Sequence, residues 1–189
     1  KNFNNIANNN FLPKEKNIKI IEEFEHNYIS LFDGKIVSKN FSYEEKNKVL
    51  IDNFNYKDEP IFDNKNSLFI LNNVLSTGFF SLEISKNYKL QKPLIIYNNF
   101  SNSLKETIVN YKNLIILNEN SELNLINYIN NSSRENFMVN TVENIKMKKN
   151  SSLNNILINN SKCNGYFYKY IKCDLEKNSS LENYLISSG

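Results

Sequence analysis

The stretch Ile115-Ile116-Leu117-Asn118-Glu119-Asn120-Ser121-Glu122-Leu123-Asn124-Leu125-Ile126-Asn127-Tyr128 decides the fold. An apolar run ends, Asn-Ser intervenes, and an alternating apolar run begins at once. Asn tolerates the left-handed backbone region and a Ser hydroxyl bonds its own neighbourhood, so Asn120-Ser121 reads as a sharp corner between two strands. The same figure returns at Asn150-Ser151 and at Asn178-Ser179, and in degenerate form at Asn87, so successive corners are 33, 30 and 28 residues apart. Counted from the corner Asn, position −5 holds Leu82, Ile115, Ile145 and Cys173, and position −3 holds Ile84, Leu117, Met147 and Leu175. Position +3 holds Leu90, Leu123, Leu153 and Leu181; position +6 holds Ile126, Ile156 and Tyr184; position +8 holds Ile95, Tyr128, Ile158 and Ile186.

Each unit is therefore strand, corner, strand. A unit of about 30 residues cannot bury its apolar face alone, so copies must stack. Stacked strand–corner–strand units make a β-solenoid, with columns of identical residues above one another. The expected core columns are −5, −3, +3, +6 and +8. Asn87, Asn120, Asn150 and Asn178 are expected to form a structural corner column, each amide bonding the next, rather than a ligand site. The drift in spacing fits a β-helix whose loops vary at one corner.

Upstream of Gly78 the pattern differs. Tyr28–Phe32 and Lys35–Val37 flank Asp33-Gly34, the strongest short hairpin signal. Ser42-Tyr43-Glu44-Glu45 reads as a capping box opening a helix that carries Val49, Leu50 and Phe54. A second helix is expected from Leu68 to Leu75, with Leu68, Leu71 and Leu75 on one face and Gly78 as its left-handed stop. The chain thus divides into residues 1–78, an α/β region with a hairpin and two helices, and residues 79–189, the solenoid. The chain begins at Lys1 without Met and stops at Gly189 directly after a patterned segment, so it is expected to be a fragment, truncated at the C-terminal end of the solenoid.

Composition narrows function by exclusion. Asn supplies 39 of the 189 residues, a bias of the kind AT-rich codons produce. The net charge of +3 comes from 23 basic and 20 acidic residues that are interspersed, which is a solvated surface and not a nucleic-acid footprint. No apolar run reaches membrane-spanning length. The two cysteines, Cys163 and Cys173, fit no zinc spacing, and with no signal peptide in view they point to a reducing compartment. Cys173 falls in the −5 core column and reads as a buried structural thiol. Cys163 precedes the Asn164-Gly165 turn and is the one candidate reactive thiol. His26, the single histidine, stands in an acidic stretch and reads as a surface residue rather than a metal ligand. No phosphate loop, Ser–His–Asp set or facing pair of carboxylates is present, so no catalytic and no metal residue is assigned, and the chain is not expected to be an enzyme.

Several segments carry a resemblance. Leu68 to Ile84, with its helix leading through Thr77-Gly78 into a strand, the Leu90-Gln91-Lys92-Pro93-Leu94 step, the strands around Asn113–Asn130 and Phe137–Glu143, and the Asp33-Gly34 hairpin together resemble the SufD members of the SufB/SufD family. The missing acidic residue before Gly78 departs from the family pattern. The resemblance implies a right-handed parallel β-helix and a scaffold role in SUF iron–sulfur cluster assembly, with a SufB-like paralogue and a SufC-like ATPase as partners, in the cytoplasm or the plastid stroma. It implies that the cluster is handled by the full complex, with no cofactor bound by this fragment and with the family's functional residues beyond Gly189. A secreted or surface β-helix that binds or acts on polysaccharide is the competing expectation; neither nucleic acid nor membrane is an expected partner.

Overall fold

A computed structural model describes residues 5–6, 19–52, 66–76, 78–101, 104–129 and 135–187. The strands are β1 (Asn5–Ile6), β2 (Asn27–Phe32), β3 (Lys35–Asn40), β4 (Val49–Asp52), β5 (Gly78–Ile84), β6 (Leu94–Asn99), β7 (Thr107–Leu117), β8 (Glu122–Ile129), β9 (Phe137–Met147), β10 (Ser152–Asn159), β11 (Gly165–Leu175) and β12 (Ser180–Ser187), with one helix, α1 (Ser67–Leu75). They form two sheets. The first runs β11-β9-β7-β5-β4, with β1 also on β7; the second runs β12-β10-β8-β6-β2-β3. Pairing is parallel throughout except for β3 on β2 and β4 on β5. The chain alternates between the sheets, which makes it a β-solenoid, mainly β as expected.

The corners join a strand of the first sheet to a strand of the second. Asn87, Asn120, Asn150 and Asn178 sit at φ 57°, 57°, 57° and 59°. Their amides form a ladder: Asn120 Nδ2 donates to Asn87 Oδ1 at 2.7 Å, Asn150 to Asn120 at 3.0 Å, and Asn178 to Asn150 at 3.2 Å. The adjoining Ser121, Ser151 and Ser179 hydroxyls donate to the carbonyls of Asn118, Lys148 and Glu176. Corner backbone N–H groups reach the next rung, as from Asn120 to the Lys149 carbonyl. Each corner thus satisfies its polar backbone groups locally or through its neighbour, which lets a tight turn repeat beside a dry core.

The register corrects two of the five expected columns. Positions −5 and −3 do point inward, with Leu82, Ile84, Ile115, Leu117, Ile145 and Met147 fully buried. Beyond the corner, position +3 (Leu123, Leu153) is inward, and strand alternation then sends every odd position inward and every even one outward. The inward set is Leu123, Leu125, Asn127 and Ile129 on β8, and Leu153, Asn155, Leu157 and Asn159 on β10. Positions +6 and +8 therefore lie on the outer face of the second sheet. The first copy is also offset: Ile95 pairs with Ile126, and Tyr97, not Ile95, with Tyr128. Two extra residues in the Lys89–Pro93 crossing absorb the difference.

The region before Gly78 builds the closed end. Asp33 (φ 49°) and Gly34 (φ 81°) make the two-residue turn between β2 and β3, as the hairpin signal requires. The capping-box helix does not form. Residues after Ser42 turn, and Val49–Asp52 is β4, laid antiparallel on β5; Phe54 lies outside the described residues. Glu44 is used differently: its carboxylate accepts from Asn27 Nδ2 (2.6 Å), Tyr88 Oη (2.7 Å) and the backbone N–H groups of Gln91 (3.1 Å) and Lys92 (3.3 Å). One side chain thereby ties β2 to the first rung. Helix α1 forms where expected, capped by Asn66, whose side chain accepts from the Leu68 and Phe69 amides. Its buried residues are Phe69 and Asn72, one position off the expected Leu68/Leu71/Leu75 stripe. Asn72 explains the rotation: its Nδ2 donates to the carbonyls of Tyr111 (3.1 Å) and Asn140 (2.6 Å) on the outer face of the first sheet. Gly78 is not a left-handed stop. It opens β5, and a Cβ there would lie 2.3 Å from the Gly34 carbonyl oxygen, so close packing of the hairpin tip demands glycine.

Candidate functional site

The inside of the solenoid is apolar beside the corners, carries a polar layer farther from them, and is apolar again beyond it around Val109, Val139, Phe137 and Phe167. In the first sheet the inward residues at −7 and −9 are Asn113 and Tyr111 on β7, Glu143 and Thr141 on β9, and Ile171 and Lys169 on β11. They stand in register across the three strands. The second sheet faces them with Asn98, Asn127, Asn155 and Asn183. Between the walls lies a cavity of about 460 Å³, open at the β11–β12 end and lined by Asn113, Asn155 and Lys169 together with the apolar Val139, Leu157 and Phe167. At the other end the Gly34 turn packs against the Tyr111 ring, where a Cβ on Gly34 would lie 2.7 Å from the Tyr111 Cβ.

Charge sits inside this layer. Glu143 is 0 % exposed, and its Oε2 lies 2.9 Å from Lys169 Nζ, whose side chain is 17 % exposed. Neither carboxylate oxygen receives a well-aligned hydrogen bond among the described residues, and Asn113 Oδ1, one strand away, is equally unsatisfied. The ammonium is thus the main compensation for a fully desolvated carboxylate, an arrangement that costs several kcal/mol per ion to build. Opposite, Asn127 Nδ2 donates to Asn155 Oδ1 (3.0 Å), and Asn155 Nδ2 to Asn183 Oδ1 (2.8 Å). Tyr111 Oη donates to Asn98 Oδ1 at 3.0 Å. Burial pushes the Tyr111 phenol well above its ordinary range; a hydrogen bond with Thr141 opposes this, and the nearby Glu143 charge adds to it.

Cys173 sits on the edge of this layer. Cys173 faces inward beside Ile145, half-buried; desolvation first, then the Glu143 and Asp174 charges, push its thiol up and hold it in the neutral form. Cys163 is half-buried against the core and unpaired by any disulfide. Among the described residues no group of three His, Cys, Asp or Glu side chains could hold a metal ion.

His26 is not a surface residue. It is 6 % exposed, with Nδ1 2.9 Å from the Phe24 carbonyl and Nε2 2.9 Å from Tyr97 Oη. Residues 19–26 form a strap over the outer face of the second sheet, and the Phe24, Tyr28 and Tyr97 rings surround the imidazole. The acidic neighbours suggested solvent, but they point out while the ring points in.

Sequence reasoning missed Glu143, Lys169, Asn113, Asn127 and Asn155. The signal was available: each has the inward parity of its strand, and a polar residue at an inward position is the informative kind of exception. Placing +6 and +8 in the core hid it on the second sheet.

One comparison with known proteins bears on this site. Residues 99–189 match the family model described as "SUF system FeS cluster assembly, SufBD core domain". The match takes in β7 to β12, the rungs that carry the polar layer, and supports the SufB/SufD superfamily and a link to SUF iron–sulfur cluster assembly for this part of the chain. No curated protein matches the sequence.

Proposed function

We propose that the chain is a SufD-like scaffold subunit of the SUF machinery, working without catalysis of its own beside a SufB-like paralogue and a SufC-like ATPase. The observation that carries this reading is the coincidence of the SufBD core match over residues 99–189 with a parallel solenoid whose rungs occupy the same residues. Lys92-Pro93, the short step from Phe100 to Asn113 and the hairpin at Asp33-Gly34 favour the SufD side of the superfamily. A non-catalytic role is supported by the lumen chemistry, because Glu143, the one fully buried carboxylate among the described residues, is spent on Lys169 and the inward thiol is held neutral. The iron–sulfur cluster is then cargo of the complex. Free half-buried thiols fit a reducing compartment, the cytoplasm or the plastid stroma.

Tagged protein recovered from its native host tests the reading. Co-purification of a SufC-type ATPase together with a SufB-type chain is the expected result. Retention on acidic polysaccharide with no ATPase partner would refute it and favour the surface β-helix.

A further inference from the structure

Of the 39 asparagines in the chain, only Asn164 precedes a glycine. An Asn side-chain amide is open to attack by the backbone nitrogen of the next residue. The five-membered ring closes only where that nitrogen can give up its proton and swing onto the side-chain carbon. Glycine in the next position eases the swing, because it has no Cβ. The fold decides which asparagines meet both conditions.

The corner asparagines do not meet them. The nitrogens that would attack Asn120, Asn150 and Asn178 belong to Ser121, Ser151 and Ser179. Each donates to a carbonyl, of Asn118, Lys148 and Glu176, at 3.1 Å. The corner amides are also tied into the ladder, where Asn120 and Asn150 both donate and accept. At Asn160 the following nitrogen, of Ser161, donates to Asn159 Oδ1 at 3.2 Å. Asn66 has its Oδ1 on the Leu68 and Phe69 amides.

Asn164 meets both conditions. It is exposed in the bend between β10 and β11, and Gly165 opens β11. At the far end of that strand the Glu176 N–H donates to the Met147 carbonyl. β11 pairs with β9 in unbroken register from Gly165 to Leu175, and strand backbone groups alternate in direction. Even-numbered residues therefore aim their N–H at β9. Odd-numbered ones, Gly165 among them, aim it at the edge of β11 that no described strand pairs. The Gly165 nitrogen thus stays outside the ladder.

We propose that Asn164 is a site of spontaneous covalent modification, the first asparagine among the described residues to become isoaspartate, and that this loosens the start of β11. Hydroxide removes the Gly165 N–H proton, and the nitrogen bonds to Asn164 Cγ. The Cγ–Nδ2 bond breaks, and Nδ2 takes a proton from water and leaves as ammonia, restoring the hydroxide. Water then opens the succinimide, at the main-chain carbonyl to give isoaspartate or at Cγ to give aspartate. Isoaspartate adds a methylene to the main chain and a carboxylate to the bend. Gly165 cannot absorb the extra length toward β9, where a Cβ on it would already lie 2.6 Å from Phe137 Cζ. The strand start moves outward instead, away from the packed rings of Phe100, Phe137 and Phe167.

The test incubates the intact chain, folded and in urea, and maps it by peptide mass spectrometry with fragmentation that separates isoaspartate from aspartate. In the folded chain Asn164 is expected to convert first, and severalfold faster at mildly alkaline than at mildly acidic pH. In urea the corner asparagines should speed up far more than Asn164, because they lose their hydrogen bonds. Asn164→Gln, which would need a larger ring, should stop the reaction at this position. Corner asparagines that convert as fast as Asn164 in the folded chain, or an Asn164 that converts only in urea, overturn the site. Amide hydrogen exchange over residues 166–169 should be faster in the isoaspartate form, isolated by ion exchange, than in the parent; unchanged exchange there overturns the loosening.

Discussion

Deleting the Lys169 ammonium tests whether the polar layer of the lumen is closed on itself. Lys169→Met keeps the length and apolar stem of the side chain and removes only the charge. Glu143 would then be left with no cation and no well-aligned donor in a place fully shielded from solvent. Removing one partner of a buried pair costs about 3–5 kcal/mol. Lys169 is 17 % exposed, so water reaches part of the space the ammonium leaves, which sets the expected loss at the lower end, about 3 kcal/mol. A domain with ordinary stability, about 5–15 kcal/mol, survives that loss and can be measured. Glu143→Leu should cost less, because the freed ammonium can turn toward the open mouth. The double variant should recover most of the loss, since an apolar pair of similar volume is often as stable as a buried ion pair. Urea unfolding of the four proteins, at constant m-value, gives the coupling, expected at about 2 kcal/mol. Additive single effects, with coupling below about 0.5 kcal/mol, would show that the two groups do not depend on each other and would refute the closed-pair account.

The inward parity is checked by two aspartates: Leu153→Asp should cost about 4 kcal/mol or abolish folding, while Ile156→Asp, three residues on but outward, should cost about 1 kcal/mol in the same unfolding assay. At the Asn150 corner, Asn150→Ala should lose about 1 kcal/mol, and Asn150→Gly should remain within about 0.5 kcal/mol of the parent, because glycine takes a positive φ without a Cβ penalty. Glu44→Ala leaves several donors without their shared carboxylate, and a drop of about 2–3 kcal/mol is expected by thermal or urea unfolding. In a Cys163→Ala background, alkylation of Cys173 should rise with pH only above the ordinary thiol range of about 8.5, since burial and the Glu143 charge disfavour the thiolate; a midpoint at or below that range would contradict the geometry.

Local chemistry made the stacking legible. Asn-Ser pairs at nearly regular spacing, flanked by alternating apolar residues, identify a corner because few residues tolerate a positive φ, and repetition of an incomplete apolar face implies stacking. The Asp33-Gly34 hairpin was legible for the same reason, since both its residues must take a backbone conformation that their types allow. The inward side of the second strand was not read correctly, because an apolar side chain at an even position looks the same in sequence whether it enters the lumen or the outer face. That outer face is apolar too, which the strap explains only once it is placed in space. The capping-box residues read locally as a helix start, and tertiary contacts overrode them: β5 offered a free edge to Val49–Asp52, and Glu44 found four donors on distant segments. The Glu143–Lys169 pair depended on the fold in the same way. The two residues are far apart in sequence and meet only because β9 and β11 lie in register, and register is a property of the assembled sheet. The sequence by itself determined that the chain turns at four asparagines and stacks; the tertiary structure decided which side chains the stack encloses, because alternation names two faces and only packing chooses between them.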